Sequence, residues 1–342
     1  MTVVAMDLAD MRMSGGVGLG TWAMGGSGWR FSWGPADDTD SIATVYRAVE
    51  RGIDWIDTAA IYGFGHAEEI LGKALAALPA ADRPHVFTKT GMMWEEGDRG
   101  GGPYRIMTPV GVRRAVEDSL RRLRTERIDL YGVHWPPLGD AVGLAGVSGD
   151  PTPLEEYWQV MADLRRAGKV GAIGLSNHDI VQLDAAERVA HVDAVSFPLS
   201  LINRSATAEL AWARENGSAA IAFSPMHSGL LSGTFSRRRA IGLPRDDWRR
   251  HEPAFTTRLA ANLAVTGTLT ALAEQRGVST AAMAVAWTLA WPGVSGAVVG
   301  ARTPEHVDGW AGADALRLTP AELTEIASAL ADTGAGQGPI KP

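Results

Sequence analysis

The sequence predicts a closed (β/α)8 TIM barrel with extended loops on its C-terminal face, and three observations predict it. Eight short apolar, β-branched runs recur along the 342 residues. Helical patterns separate them, as crossover helices between parallel strands require. Three long glycine-rich connections each follow a strand and precede a helix, which places them on the face where such barrels build their sites.

Taken in chain order, the expected strands are residues 17–21, 53–57, 86–89, 128–134, 170–175, 192–197, 219–223 and 297–300. Between the first two, Ile42, Val45, Tyr46 and Val49 recur at helical spacing, and Gly52 can end that helix. Thr108-Pro109 is an N-cap and first-turn pair, with Val112, Val116, Leu120 and Leu123 following on one face. Thr303-Pro304 repeats that start signal, and Thr319 with Glu322 fits a capping box. The long connections are 91–107, 135–151 and 224–253. The first ten residues and the tail after Ala331 read as peripheral to a single barrel domain spanning 1–342, with a core of about 12–332.

A doubly wound sheet is the competing architecture, since Gly18, Gly20 and Ala23 match a dinucleotide-binding G-x-G-x-x-A. That motif must follow a strand and open a helix. Here it runs into Met-Gly-Gly-Ser-Gly, which cannot hold one, so the barrel reading stands.

Composition narrows the function. Lys and Arg number 32 against 39 Asp and Glu, a net charge of −7. That argues against nucleic-acid or anionic-membrane binding, which draw affinity from clustered cations. Cysteine is absent, so disulfides, thiolate metal sites and Cys nucleophiles are excluded. No remaining histidine has metal-ligand spacing with carboxylates, so no metal is expected. Asp7 and Asp10 stand where a signal peptide would be basic. The nearly apolar run 281–291 is too short for the roughly 18–20 residues of a bilayer span and reads as a buried helix. A cytoplasmic protein is expected. Nothing in the sequence indicates an oligomer.

On the barrel reading, Asp57, Lys89 and His134 each close a strand, and Tyr62 follows Asp57 by five residues. Singly, each is more often a structural ion pair or a satisfied hydrogen-bonding group. Together at one barrel mouth they point to a site. Trp22, Trp29, Trp33, Trp94 and Trp135 fall in Gly/Pro-rich stretches; a lone loop tryptophan is usually a packing residue, but five indicate an apolar pocket mouth.

At this point the sequence resembles the aldo-keto reductases. The resemblance rests on Ile-Asp-Thr-Ala-Ala-Ile-Tyr-Gly at 56–63, Thr-Lys at 88–89 and Asp-Leu-Tyr-Gly-Val-His-Trp at 129–135. Gly-Leu-Ser-Asn at 174–177, Ser-Leu-Ile-Asn-Arg at 200–204, Phe-Ser-Pro-Met-His-Ser-Gly-Leu-Leu-Ser-Gly at 223–233 and Val-Gly-Ala-Arg-Thr-Pro-Glu-His-Val at 299–307 continue it in family order. It implies an Asp57, Tyr62, Lys89, His134 tetrad that reduces a small-molecule carbonyl with NADPH. Tyr62 would give the proton, eased by the Lys89 cation. Asp57 would hold Lys89, and neutral His134 would orient the carbonyl.

The resemblance further implies that Ser176 and Asn177 bind the nicotinamide carboxamide, with Thr21, Trp22, Asp57 and Ser224 also at the cofactor. Met226, Ser228, Leu230 and Ser232 would pass over the pyrophosphate. Arg302, Thr303 and His306 would meet a 2′-phosphate at a helix start. Trp22, Trp29, Tyr62, Trp94, His134 and Trp135 would line the substrate pocket, with Glu95, Glu96 and Asp98 near one edge. Two departures stand out. The usual Gln and stacking aromatic are expected at Ser196 and Leu199, with Leu199 as the floor beneath nicotinamide. The usual Glu-Asn facing adenine is Gly309-Trp310. Two other functions share features of this pattern: a regulatory subunit of the potassium-channel β type, and a barrel aldolase using Lys89 as a Schiff base.

Overall fold

The computed structural model describes residues 6–9, 11–29, 32–95, 102–136, 149–245 and 247–342. Glu96, Asp98 and Asp10, and the middles of two long connections, lie outside them.

Eight parallel strands close into a barrel: β3 (Val17–Gly20), β4 (Trp55–Asp57), β5 (His85–Thr90), β8 (Ile128–Val133), β9 (Val170–Ser176), β10 (Ala194–Pro198), β11 (Ala219–Phe223) and β12 (Val294–Gly300). They pair in that order, and β12 returns to β3 through Ala297 opposite Val17. Every expected strand is present. The largest difference is β12, which begins three residues before the sequence placed it. Gly296 reads as a breaker, but in the barrel it is a strand residue whose lack of a side chain admits Met6 and Trp55.

The remaining short strands form two hairpins. β1 (Met6–Leu8) pairs with β2 (Met11–Met13), and β6 (Met92–Met93) with β7 (Tyr104–Arg105). The first hairpin corrects the reading of the N-terminus as peripheral. Met6, Leu8 and Met13 are buried against Trp55, Phe87, Leu130 and Ile221, plugging the barrel at the start of its strands. Trp55 spans this floor and donates its Nε1–H to the Gly15 carbonyl at 3.1 Å. A Cβ at Gly18 would lie 2.3 Å from its indole, so glycine there is a packing requirement.

The helices are α1 (Asp38–Glu50), α2 (His66–Ala77), α3 (Pro109–Leu123), α4 (Leu154–Arg166), α5 (Ile180–Glu187), α6 (Thr207–Asn216), α7 (Arg237–Ile241), α8 (Leu259–Arg276), α9 (Thr280–Leu289), α10 (Pro304–Asp308) and α11 (Pro320–Thr333). Their start signals behave as the sequence implies. Thr108 caps α3 by accepting from the Gly111 amide, and Thr319 with Glu322 completes a capping box on α11. The apolar run 281–291 is largely α9, buried along nearly all its length. Among the described residues, no helix is long and apolar enough to cross a membrane. α10 is different: it has five residues, and Thr303 makes no side-chain cap.

The C-terminal tail is also more than peripheral. Arg204, buried just beyond β10, donates from Nε to the Pro339 carbonyl at 2.7 Å and from Nη2 to the carbonyls of Ala335 and Gly338 at 3.3 Å. Asn203 and Gln337 add a backbone bridge. The tail therefore satisfies a buried cation that would otherwise be costly to desolvate.

Candidate active site

Strand alternation decides which side chains enter the barrel. Asp57 at the end of β4 and Lys89 near the end of β5 both point inward, and His134 follows β8 directly. The Lys89 Nζ lies 2.6 Å from each Asp57 carboxylate oxygen and 2.9 Å from the Thr58 carbonyl. Both side chains are almost wholly buried. Burial pulls the Asp57 carboxyl up from its usual value, and Lys89 pulls against that shift.

Tyr62 reaches the same point from the turn before α2. Its ring centroid is 5.9 Å from the Lys89 Nζ, and its ring meets His134 edge-on at 5.7 Å. The turn is held by close backbone approach. Gly63 has φ +62°, and a Cβ on it would lie 2.1 Å from the Gly25 carbonyl oxygen. Burial, and next the charge of Asp57, raise the Tyr62 phenol well above its ordinary value. The sequence expectation was that Lys89 would lower it. In the structure Lys89 directs its donors to Asp57 and Thr58, so Tyr62 rests as a phenol.

His134 is kept neutral by burial and then by Lys89, which together depress its basicity well below the usual histidine range. Trp135 stacks on its imidazole with centroids 3.5 Å apart and planes at 17°. Its Nδ1 is buried without a hydrogen-bond partner. The tautomer with hydrogen on Nε2 leaves that buried atom without a proton to satisfy and gives the other nitrogen a donor.

These groups open into a cleft of about 1230 Å³. Thr21, Trp22, Trp135, Ser176, Asn177, Ser196, Ser224, Met226, Ser228, Ser232, Arg302 and His306 also line it. Asn177, at φ +60°, donates from Nδ2 to the His134 carbonyl at 3.0 Å and to Ser176 Oγ at 3.1 Å. That ties the wall after β9 to the wall after β8.

Five sequence expectations are not met. Leu199 is 2% exposed and packs in the core, so it offers no floor to the cleft. An aromatic surface on this wall comes instead from Phe223, which ends β11 opposite Pro198 and lines the cleft. Alternation explains this: Leu199 lies past the inward-facing end of β10, whereas Phe223 follows Ile221 on the interior face. Leu230 is fully buried, and its amide, expected to be offered to the pyrophosphate, donates to the His227 carbonyl at 3.2 Å instead. Thr303 is not among the lining residues. Trp29 packs behind Trp22 and Tyr62, with centroids at 5.1 and 5.9 Å, and donates to the Gly26 carbonyl. Trp94 lies against Phe64 and Arg122, outside the cleft.

The sequence reading also missed residues. Arg239 and Arg249 line the cleft from the connection after β11. Arg249 is pinned by Asp247 at 3.0 and 2.7 Å and lies over the Trp33 ring at 5.3 Å. Arg302 donates to the carbonyls of Trp33 and Pro35 at 3.0 and 2.8 Å. Burial and the charges of Arg249 and Arg239 lower its guanidinium from its usual value. Arg in a long loop carries no spacing signal; only the fold gathers these cations. Trp310, whose indole replaces the expected amide, is buried at the cleft wall with its Nε1 unpartnered.

The family model for the aldo/keto reductase family matches residues 16–331. This chain belongs to the aldo/keto reductase family. It is similar to the aldo-keto reductase YhdN of Bacillus subtilis, 35% identical over 93% of this chain and 90% of that one. It is also similar to an NADH-specific methylglyoxal reductase of Escherichia coli, 31% identical over 96% of this chain and 99% of the other. Among solved structures, a glycerol dehydrogenase from Gluconobacter oxydans is 35% identical, with a TM-score of 0.86 over 99% of this chain and 98% of that one. An aldo-keto reductase from Klebsiella pneumoniae in complex with NADPH, 24% identical with a TM-score of 0.69, shares the fold. The closed eight-stranded barrel found here is the fold the chain shares with both solved structures. No group of His, Cys, Asp and Glu able to hold a metal occurs among the described residues.

Proposed function

We propose that this aldo/keto reductase uses NADPH to reduce a small aldehyde or ketone, with Tyr62 donating the proton. The observation that carries the reading is convergence: a buried Asp57–Lys89 pair, a buried phenol and a neutral imidazole meet at one end of a single cleft. When bound, the dinucleotide supplies hydride to the carbonyl carbon. Its fit rests on three features of the cleft: its volume exceeds the roughly 300–1000 Å³ of ordinary small-molecule sites, Phe223 lines it along with Ser176 and Ser196, and cations gather at Arg239 and Arg302.

The chain's own residues then have distinct tasks. His134 donates from Nε2 to the carbonyl oxygen and fixes its direction. Tyr62 transfers its proton to that oxygen as negative charge grows there. The resulting phenolate faces the Lys89 cation, which Asp57 holds in place. Ser176 and Asn177 would hold the carboxamide, and Phe223 would offer the nicotinamide an aromatic face. Arg302 and Arg239 favour a 2′-phosphate over a bare ribose. Glu305 opposes them with a carboxylate, and one relative is NADH-specific, so cofactor choice is the sensitive point.

The Schiff-base alternative is disfavoured by the same geometry: a lysine held by two carboxylate oxygens and a carbonyl has no free amine to attack. The test is to screen carbonyl compounds for oxidation of NADPH and of NADH, with Tyr62→Phe as control. Reduction that survives Tyr62→Phe, or turnover with NADH alone, overturns the reading.

A further inference from the structure

Among the described residues, the chemistry proposed above leaves several buried carboxylates unused, Glu68, Asp150, Asp193 and Asp314 among them. Glu68, in the first turn of α2, is completely buried. It accepts from the Thr88 hydroxyl at 2.6 Å and from the Arg122 Nε at 2.7 Å. Thr88 immediately precedes Lys89 in β5 and, by alternation, faces outward where Lys89 faces inward. Arg122 comes from the last turn of α3 and lies over the Trp94 ring at 5.4 Å. Trp94 in turn meets Phe64 edge-on at 5.7 Å, two residues past Tyr62.

We propose that Glu68, Thr88 and Arg122 form a brace that fixes Tyr62 against Lys89, with Glu68 as its positioning residue. The proposal rests on the functional reading of the tetrad. Tyr62 and Lys89 come from separate elements, and their spacing depends on how the Tyr62 turn and α2 seat on β5. Backbone contacts between them are few: Thr58 donates to Phe87 at 2.8 Å, and Ala60 to Lys89 at 3.4 Å. Glu68 adds a charge-assisted tie from α2 to the outer face of the strand that carries Lys89. Arg122 neutralises that carboxylate so that it can remain buried, and Trp94 carries the brace back to the Tyr62 turn. The sequence placed Trp94 in the substrate pocket; its contacts assign it to this brace instead.

The experiment uses the full-length protein labelled with 3-fluorotyrosine. The chain has five tyrosines, and the resonance lost in Tyr62→Phe identifies Tyr62. Thr88→Val and Glu68→Gln should shift that resonance and lower its titration midpoint as water reaches the loosened phenol; Thr88→Ser should leave both unchanged. Reduction of methylglyoxal should fall about tenfold in kcat in the first two variants, with the NADPH dissociation constant unaltered. Thr88→Val preserves shape, so it carries the test should Glu68→Gln fold poorly. A Tyr62 resonance and titration in Thr88→Val that match those of the unsubstituted protein overturn the brace, even if thermal stability falls. Full activity in Tyr62→Phe would instead overturn the functional reading, while the resonance would still decide the brace.

Discussion

The two ends of the cleft are built on opposite principles. At the tetrad end, Asp57 and Lys89 stand on adjacent strands and His134 directly follows the next, so strand register fixes their separation before any ligand arrives. At the cation end, Arg239, Arg249 and Arg302 come from connections; Arg249 and Arg302 are steadied by backbone carbonyls or by Asp247, and Arg239 lies over the Phe235 ring at 5.8 Å. Proton transfer tolerates little misplacement, so rigid elements suit it. Recognition of a phosphate accepts several geometries, so a loop can provide it. Changes at the first end should therefore alter rate, and changes at the second should alter affinity.

Tyr62→Phe gives the largest expected effect. Single-turnover reduction should slow by roughly 10²–10⁴, the usual contribution of a positioned acid, while cofactor titration stays as before. A matching loss of cofactor affinity would break the division between the two ends.

Acid stability should come next. Burial holds His178 beside the tetrad and His227 in the cation-end connection down to about 4 each, against about 6.5 in the unfolded chain. Their folded values are depressed, so below about pH 6.5 the unfolded chain binds protons that the folded one refuses. Stability is then lost as pH falls toward 4, by roughly 3 kcal/mol from each histidine. His85 works the other way, raised first by its hydrogen bond to Asp129, but it is only half buried. Denaturant unfolding across this window should show a shallower slope in His178→Gln and in His227→Gln. An unchanged slope in either would mean that its site is open to water.

A smaller effect belongs to Arg302→Ala, which should weaken NADPH by about 1.5–3 kcal/mol, the range for hydrogen bonds to charged groups, and NADH much less. Fluorescence titration with both cofactors separates the cases; equal losses would place the phosphate elsewhere.

The smallest effect sharpens the corrected floor of the site. Phe223→Leu should weaken cofactor binding by ~1 kcal/mol, within the range of aromatic contacts. Leu199→Tyr should gain no affinity and should lower stability by ~1–3 kcal/mol, because a larger ring is forced into a packed core. Tighter NADPH binding in Leu199→Tyr would restore the original alignment of that wall.

The sequence by itself determined the barrel and the mouth at which Asp57, Lys89 and His134 meet. Strands announce themselves by apolar runs, and a strand's end is also where its inward side chain meets the mouth, so Asp57, Lys89 and His134 were legible from the same pattern as the fold. Local capping chemistry was legible too, at Thr108 and Thr319, because a cap depends only on neighbours in the chain. Tertiary structure alone decided the rest. Whether Leu199 or Phe223 faces the cleft depends on strand parity past the end of β10. Whether Trp94 lines a pocket or covers Arg122 depends on where α3 packs. The cations gathered at the other end of the cleft and the buried tie from Glu68 to Thr88 join residues far apart in the chain. No periodicity or spacing encodes such pairs, since nothing local requires them; they exist only because the closed barrel brings separate connections to one face.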